Sequence, residues 1–525
     1  MRAKHVIWIT NVIALLLARP ISAQLVDNTQ ASNKINAGIN KSLADEVGTG
    51  RGDIMTPYSS LFIINRDPYR SIRRGRQIFQ RKFTRAQGQG PNNSDGVGDL
   101  NTVAGIGAGL SDSCAGCHGR PKGSAGSGGD VATRPDSRDA PHLFGLGLKE
   151  MLADEITSDL RAIRAAASAV AKGSGKSVTA RLQSKGISYG VITANADGSF
   201  DTSQVSGVNP DLRVRPFFAE GSTISIREFL VGAFRNELGM PAADPDLLLA
   251  SSGKKVTTPS GMVLDGSQDT VDASPASDPG ADPDGDHVVN EVPVSLIDHM
   301  EFYLLNYFKP GIYKQTRQSL RGDKLFNKIG CASCHVADLW INHDRRVADV
   351  ETVYDPVRGN LNGLFATATP LLNVVDDGSG FPALKKPSLQ PFLVKDIYTD
   401  FKRHDLGAAF YERNYDGTLT TQFLTRPLWG VGSTGPYGHD GRSINLTEVI
   451  FRHGGESQAS TNAFAILEPE DQDAVIAFLN SLVIFPPEDT ASTLDPGNRG
   501  APNYPQAGHG SIKLTVLFND PKDPE

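Results

Sequence analysis

All four cysteines of this 525-residue chain lie in two copies of Cys-x-x-Cys-His: Cys114-Ala115-Gly116-Cys117-His118 and Cys331-Ala332-Ser333-Cys334-His335. On one helical turn, thiols three residues apart share a face, and the next residue turns an imidazole toward whatever the thiols hold. This spacing suits covalent attachment of a c-type haem, in which each thiol adds to a vinyl group and the histidine gives the iron one axial ligand. The bland readings are a disulfide or half of a zinc site. A four-ligand zinc site would need further cysteines or a His-x3-5-His pair, and the chain has neither. Two covalent haems, and with them redox chemistry, are the expectation.

The elements that must hold these motifs show a degenerate internal repeat. Arg74-Gly75-x-x-Ile78-Phe79 precedes the first motif and Arg321-Gly322-x-x-Leu325-Phe326 the second. Each reads as a leading helix with its apolar pair on the buried face. From Gly322 to Cys331 is a step of nine residues, and from Gly75 to Cys114 a step of thirty-nine, so the first copy carries a Gly-, Asn- and Asp-rich insertion. Weaker echoes pair Pro141-His142-Leu143-Phe144-Gly145 with Pro427-Leu428-Trp429-Gly430, and Ile226-Arg227-Glu228-Phe229-Leu230 with Leu446-Thr447-Glu448-Val449-Ile450. The last pair are amphipathic helix starts after the caps Ser225 and Asn445. Further helices are expected over Lys149 to Ala171, Ser295 to Phe308 and Glu470 to Ile484, and a β-hairpin around Asn195-Ala196-Asp197-Gly198.

The expected fold is mainly α, with two tandem cytochrome c-like domains, long loops and minor β-hairpins. Residues 24–310 would form the first domain and 311–486 the second, with the break at Pro310-Gly311. Residues 487–525 would be an irregular tail. Residues 1–23 read as a cleaved signal peptide: Arg2 and Lys4, an apolar run from Ile7 to Ala18, then small residues before Gln24. That run is too short to span a bilayer, so stable membrane insertion is not expected. Covalent haem plus export points to a bacterial periplasm. With every cysteine committed to haem, no disulfide can form there. The formal charge of -7, with no dense basic block, argues against nucleic acid as a partner and leaves room for a basic redox protein. The chain is rich in Gly (54) and Pro (32), which predicts long connections wrapping a large cofactor.

The stretch Thr425-Arg426-Pro427-Leu428-Trp429-Gly430, then Gly435-Pro436-Tyr437-Gly438-His439-Asp440-Gly441-Arg442, Leu446-Thr447-Glu448 and His453-Gly454-Gly455-Glu456, resembles the bacterial di-haem cytochrome c peroxidase superfamily. The resemblance is strongest to its di-haem oxidoreductase branch. His404-Asp405-Leu406-Gly407, Arg138-Asp139-Ala140-Pro141, Gly145-Leu146-Gly147-Leu148 and Gly232-Ala233-Phe234-Arg235-Asn236-Glu237-Leu238-Gly239 extend it. It implies a reactive N-terminal haem with an open distal face, and a six-coordinate C-terminal haem that passes electrons.

No methionine follows Met300, so the second domain cannot supply a His/Met pair. The position at which the family places its ligand is His453, and the expectation is a bis-His iron held by His335 and His453. That pairing predicts a lower potential than His/Met would give. His439 reads as structural or propionate-contacting, His404 as bonded to a loop or lining the haem edge, and His343 as solvated. In the first domain His118 is the axial ligand. Sliding Ile226 onto Leu446 sets Ala233 opposite His453, and a methyl group cannot ligate iron. Phe234 would then wall an open pocket. Glu237 resembles the distal acid of the peroxidases, able to carry a proton between peroxide oxygens, with an ordinary helix-end glutamate as the even alternative. His142 is an alternative resting-state ligand. Asp282, Asp284, Asp286 and Glu291 are spaced like a calcium loop, but Pro293 occupies the twelfth place, and an acidic solvated turn is an equal reading. Trp340 and Trp429 are candidates to relay electrons, with plain packing the commoner role.

The expected function is peroxide reduction with electrons from a small redox protein. Its rivals are a di-haem electron carrier and a di-haem oxygenase acting on an organic substrate.

Overall fold

Apolar pairs one turn from a glycine build the same packing unit twice. In the computed structural model, helix α1 (Pro68–Gln80) buries Ile78 and Phe79 completely. The structure describes residues 43–81, 83, 113–114, 118, 139–273, 287, 289–306, 311–312, 315–349, 369–370, 373–375, 383–386, 390–414 and 416–483. The expected signal peptide, tail and most of the Gly-rich insertion lie outside them.

Helix α2 (Leu146–Ser174) starts and stops on glycines in the left-handed region, Gly145 and Gly175. It leads into a three-stranded antiparallel sheet of β1 (Val178–Ser184), β2 (Ile187–Ala194) and β3 (Phe200–Asp201). The expected hairpin is β2–β3. Strand β1 was not foreseen; it turns into β2 through Lys185 and Gly186, both at positive φ (50° and 83°), the pattern of a type I′ turn. Helix α3 (Ile226–Leu238) follows, then α4 (Val294–Asn306), whose residues are buried throughout except Val294. Strand β4 (Gly311–Ile312) opens the second half, ahead of α5 (Arg317–Lys328). Strands β5 (Arg403–Asp405) and β6 (Gln422–Leu424) pair antiparallel. Helices α6 (Leu446–Arg452) and α7 (Pro469–Ser481) close the half with β7 (Leu482–Val483), which returns to pair with β4.

The repeat is visible in the packing. Helix α1 lies on α4, and a Cβ on Gly75 would come within 2.2 Å of the His299 carbonyl oxygen. Helix α5 lies on α7, and a Cβ on Gly322 would come within 1.8 Å of the Ala474 carbonyl oxygen. Each glycine therefore lets two helix backbones touch. One apolar core joins α1, α3 and α4, a second joins α5 and α7, and a third sits between them, where Leu148, Met151 and Leu152 of α2 meet Leu339, Ile341, Phe401 and Trp429.

The helix starts at Ser225 and Asn445 are built alike. Ser225 caps α3 by accepting from the Glu228 N–H, and Asn445 caps α6 by accepting from the Glu448 N–H. The two glutamates reach back to the N–H groups of Ile224 and Ile444, each at 2.9 Å, variants of the capping box. Helix α3 is further pinned by fully buried Arg227, which donates to Asp244 at 2.8 Å, Asp298 at 3.0 Å and Glu301 at 2.8 Å. The equivalence ends at the far side. Helix α3 continues past Ala233 to Leu238, whereas α6 stops at Arg452 and His453 is its C-cap with extended dihedrals. The Gly454-Gly455 pair that follows is seated against the Leu406–Gly407 loop, with Gly454 N–H donating to the Leu406 carbonyl at 2.9 Å.

Candidate haem-binding sites

Gly330, at a positive φ of 92°, turns the chain out of α5 into a short 3-10 turn at Cys331–Ser333. There the N–H groups of Cys334 and His335 both donate to the Cys331 carbonyl, at 3.3 and 3.0 Å. One carbonyl thus gathers both thiols and the imidazole on a single turn. The His335 ring is held from behind. Its Nδ1–H donates to the Tyr398 carbonyl at 2.9 Å, and Phe326 of α5 lies 6.0 Å from it in a cluster with Tyr398 and Phe478. With Nδ1 committed, Nε2 is the nitrogen left to bind metal, and the hydrogen bond makes it a better donor.

His453 shows the same arrangement: Nδ1–H donates to the Val449 carbonyl at 2.6 Å, and its own carbonyl accepts from Thr461 Oγ1 at 2.6 Å. Burial pushes the His335 pKa down to about 4, with His453 among the groups that add to the shift. Burial also lowers His453. Both rings are therefore neutral at pH 7, as metal-binding imidazoles must be.

In the first site the described residues of the motif are Cys114 and His118. The Nδ1–H of His118 donates to the Pro141 carbonyl at 2.5 Å, and burial lowers its pKa. Cys114 packs against the same apolar core as Phe234, whose ring meets Phe83 edge-on at 6.0 Å. Phe234 is buried, and Ala233 and Glu237 are half-buried. His142 is close enough to His118 for the two charges to oppose each other. Burial first, then Lys149, Arg426 and His118, bring its pKa to about 4. Its Nε2–H donates to the Trp429 carbonyl at 2.6 Å, so this nitrogen is turned to the second half of the chain. Its Nδ1 is buried with no hydrogen-bond partner among the described residues.

Neither tryptophan was separable in the sequence. Trp340 is exposed, while Trp429 is buried with its ring over Gly145, where a Cβ would lie 2.3 Å away. His343 is solvated. His439 is buried, stacked on Phe423 at 4.1 Å and paired with Glu412 at 3.1 Å, a structural placement. Glu291 is buried, and Asp282, Asp284 and Asp286 lie outside the described residues.

Sequence reasoning missed the setting of His404. Its Nε2 meets Asp400 at 2.9 Å and its Nδ1 meets Glu456 at 2.7 Å, beside the Cys334 thiol. Burial alone would lower its pKa, but Asp400, Cys334 and Glu456 together raise it to about 11. A raised folded-state pKa gives stability that is complete below the ordinary value of 6.5 and is lost as pH climbs through about 11. His404→Asn is therefore expected to lower the denaturant midpoint most below pH 6.5, with the gap to the wild type closing between there and pH 11. A gap independent of pH would contradict this. The His-Asp-Leu-Gly string marked the residue, but its acidic partners lie four residues before it and fifty-two after it.

Residues 378–482 match the family described as "Di-haem oxidoreductase, putative peroxidase". The resemblance read from the motifs is borne out over that stretch. No curated protein matches the chain. Among solved structures, the chain is similar to a hydrazine synthase of Kuenenia stuttgartiensis pressurized with 20 bar xenon, at 15% identity and a TM-score of 0.21, over 36% of this chain and 55% of that one. It thus spans little more than half of that protein. It is also similar to a MauG-like protein associated with microbial copper homeostasis, at 12% identity and a TM-score of 0.25, over 56% of this chain and 80% of that one. Among the described residues, no helix is long and apolar enough to cross a membrane.

Proposed function

We propose that the protein is an exported di-haem c-type oxidoreductase that reduces peroxide at its first motif with electrons delivered through its second. The observation that carries this reading is an asymmetry between two helix starts capped in the same way: seven residues beyond Ile226 stands Ala233, and seven beyond Leu446 stands His453.

The donor sets fit the cofactor. Reduced cysteines adjoin a half-buried, neutral imidazole whose Nδ1 is tied to a backbone carbonyl, at His118 and again at His335. Cys114, Cys117 and His118 would hold one haem, and Cys331, Cys334, His335 and His453 the other. Haem bound there supplies one-electron storage and, where a coordination position is open, the site of peroxide reduction.

The chain's own residues do the rest. Ala233 leaves space that His453 fills in the second half. Phe234 excludes water from that space. Glu237 takes a proton from one peroxide oxygen and returns it to the other, so that one peroxide, two electrons and two protons become two waters. The electrons come from a small redox protein, and the signal peptide carries the chain to the periplasm.

The test is a spin-state titration of the resting protein. A high-spin ferric signal that shifts with cyanide or peroxide is expected, and two low-spin signals in both redox states would make the protein a carrier instead. Glu237→Gln is expected to lower kcat for peroxide about a hundredfold with the resting spectrum intact. An unchanged kcat would return Glu237 to an ordinary surface role.

A further inference from the structure

A small, open recess lies where the loop after the β-sheet meets strand β5, lined by Arg213, Arg215 and Arg403 together with Asn209, Gly207 and Gly221. We propose that it binds a small oxyanion, a carboxylate or phosphate group.

The charge balance of the lining carries the proposal. Arg213 is buried and paired with Asp154 at 2.7 Å, and Arg215 is paired with Asp211 at 2.7 Å. Arg403 has no carboxylate within ion-pair distance among the described residues. Among the described residues, its guanidinium donates only to the side-chain oxygen of Asn209. Burial and then Arg215 lower its pKa, while Asp211, whose carboxylate is already held by Arg215, raises it. Arg403 is left without a carboxylate of its own in a half-buried recess, where screening by salt is weaker than on an open surface. An oxyanion there would neutralise Arg403 and accept from its fork of parallel N–H donors.

The backbone is shaped to leave the space. Gly207, at a φ of 77°, accepts at its carbonyl from the Arg403 N–H at 2.9 Å. At Gly221 a Cβ would lie 3.1 Å from the Arg215 carbonyl oxygen and 3.4 Å from Arg403 Cδ, crowding the arginines out of position. The recess is separate from the cysteine motifs. Successive residues of a strand point to opposite faces, and in β5 it is His404 that turns to Cys334.

The test is calorimetric titration of the full di-haem protein with inorganic phosphate and, separately, acetate, at constant ionic strength against chloride. Saturable binding to one site per chain is expected. The anion that binds more tightly identifies the ligand as phosphate-bearing or carboxylate-bearing. Arg403→Gln should weaken binding by about tenfold or more, one charge-assisted pair. Arg403→Lys should fall between, because it keeps the charge and loses the fork. Arg442→Gln, at an exposed arginine elsewhere, should change nothing. Asn209→Ala, which removes the group holding the Arg403 guanidinium, provides a second variant if Arg403→Gln fails to fold, and should weaken binding as well. Binding no tighter than chloride for both anions, or equal losses in the Arg403 and Arg442 variants, would overturn the proposal.

Discussion

His453→Ala is expected to remove the low-spin ferric signal of the second site, to raise its midpoint potential, and to bring donor-driven peroxide turnover down to background. The side chain is fixed by geometry that alanine does not disturb elsewhere. Its ring is anchored through Nδ1 on the Val449 carbonyl, and its backbone is held by Thr461 Oγ1. Removing the imidazole leaves Phe410, whose ring lies 5.2 Å from it, beside an empty position. A single imidazole stabilises ferric iron less than two do, which sets the direction of the potential shift. Haem attachment at Cys331 and Cys334 should survive, so the Soret absorbance per chain is the control. Ala233→His is the reciprocal experiment and should abolish the cyanide-sensitive signal of the first site. If the His453→Ala spectrum matches that of the wild type, another residue ligates the second iron and the proposed division of labour fails.

Much of this arrangement was legible in the residues because its signals are local. A Cys-x-x-Cys-His turn, the caps Ser225 and Asn445, and the apolar pairs Ile78-Phe79 and Leu325-Phe326 each act within one or two helical turns. The expected helix over Lys149 to Ala171 appears as Leu146–Ser174, and that over Glu470 to Ile484 as Pro469–Ser481. The latter stops early because Leu482 and Val483 pair instead with Ile312 and Gly311, a partner no local pattern announces. Strand β1 was missed although Val178, Ala180 and Leu182 alternate with Thr179, Arg181 and Gln183, because only Leu182 is a large apolar residue that is fully buried, and the alternation is correspondingly weak in hydrophobic contrast. The acceptors that orient His118 and His335 are backbone carbonyls of Pro141 and Tyr398. Every residue has a carbonyl, so the sequence carries no mark for these two. No local pattern marks buried Arg227 and its carboxylates on α4, since their pairing exists only once α3 and α4 meet.

Alanine at Gly322 is expected to destabilise the second half by about 3 kcal/mol, the upper range for overpacking, although Gly→Ala inside a helix ordinarily stabilises by about 1 kcal/mol. The sign reverses because the new methyl would sit 1.8 Å from the Ala474 carbonyl oxygen and 2.8 Å from Phe478 Cβ. Backbone cannot rotate away as a flexible side chain can, so α5 must lift from α7. Phe326 on α5 packs against both Phe478 and the His335 ring, and lifting the helix therefore loosens the proposed second haem site too. Gly75→Ala should act in the same way on the first half, through the His299 carbonyl at 2.2 Å and Tyr303 Cβ at 2.4 Å. Gly232→Ala is the control: this glycine is also helical, but nothing lies within 4 Å of its added Cβ, so a gain of up to about 1 kcal/mol is expected. Scanning calorimetry of the three variants separates the cases. If the halves melt independently, Gly322→Ala lowers one transition and Gly75→Ala the other. A midpoint for Gly322→Ala at or above the wild type would mean that the α5–α7 backbones do not touch, and the repeat would then be one of sequence without a shared packing.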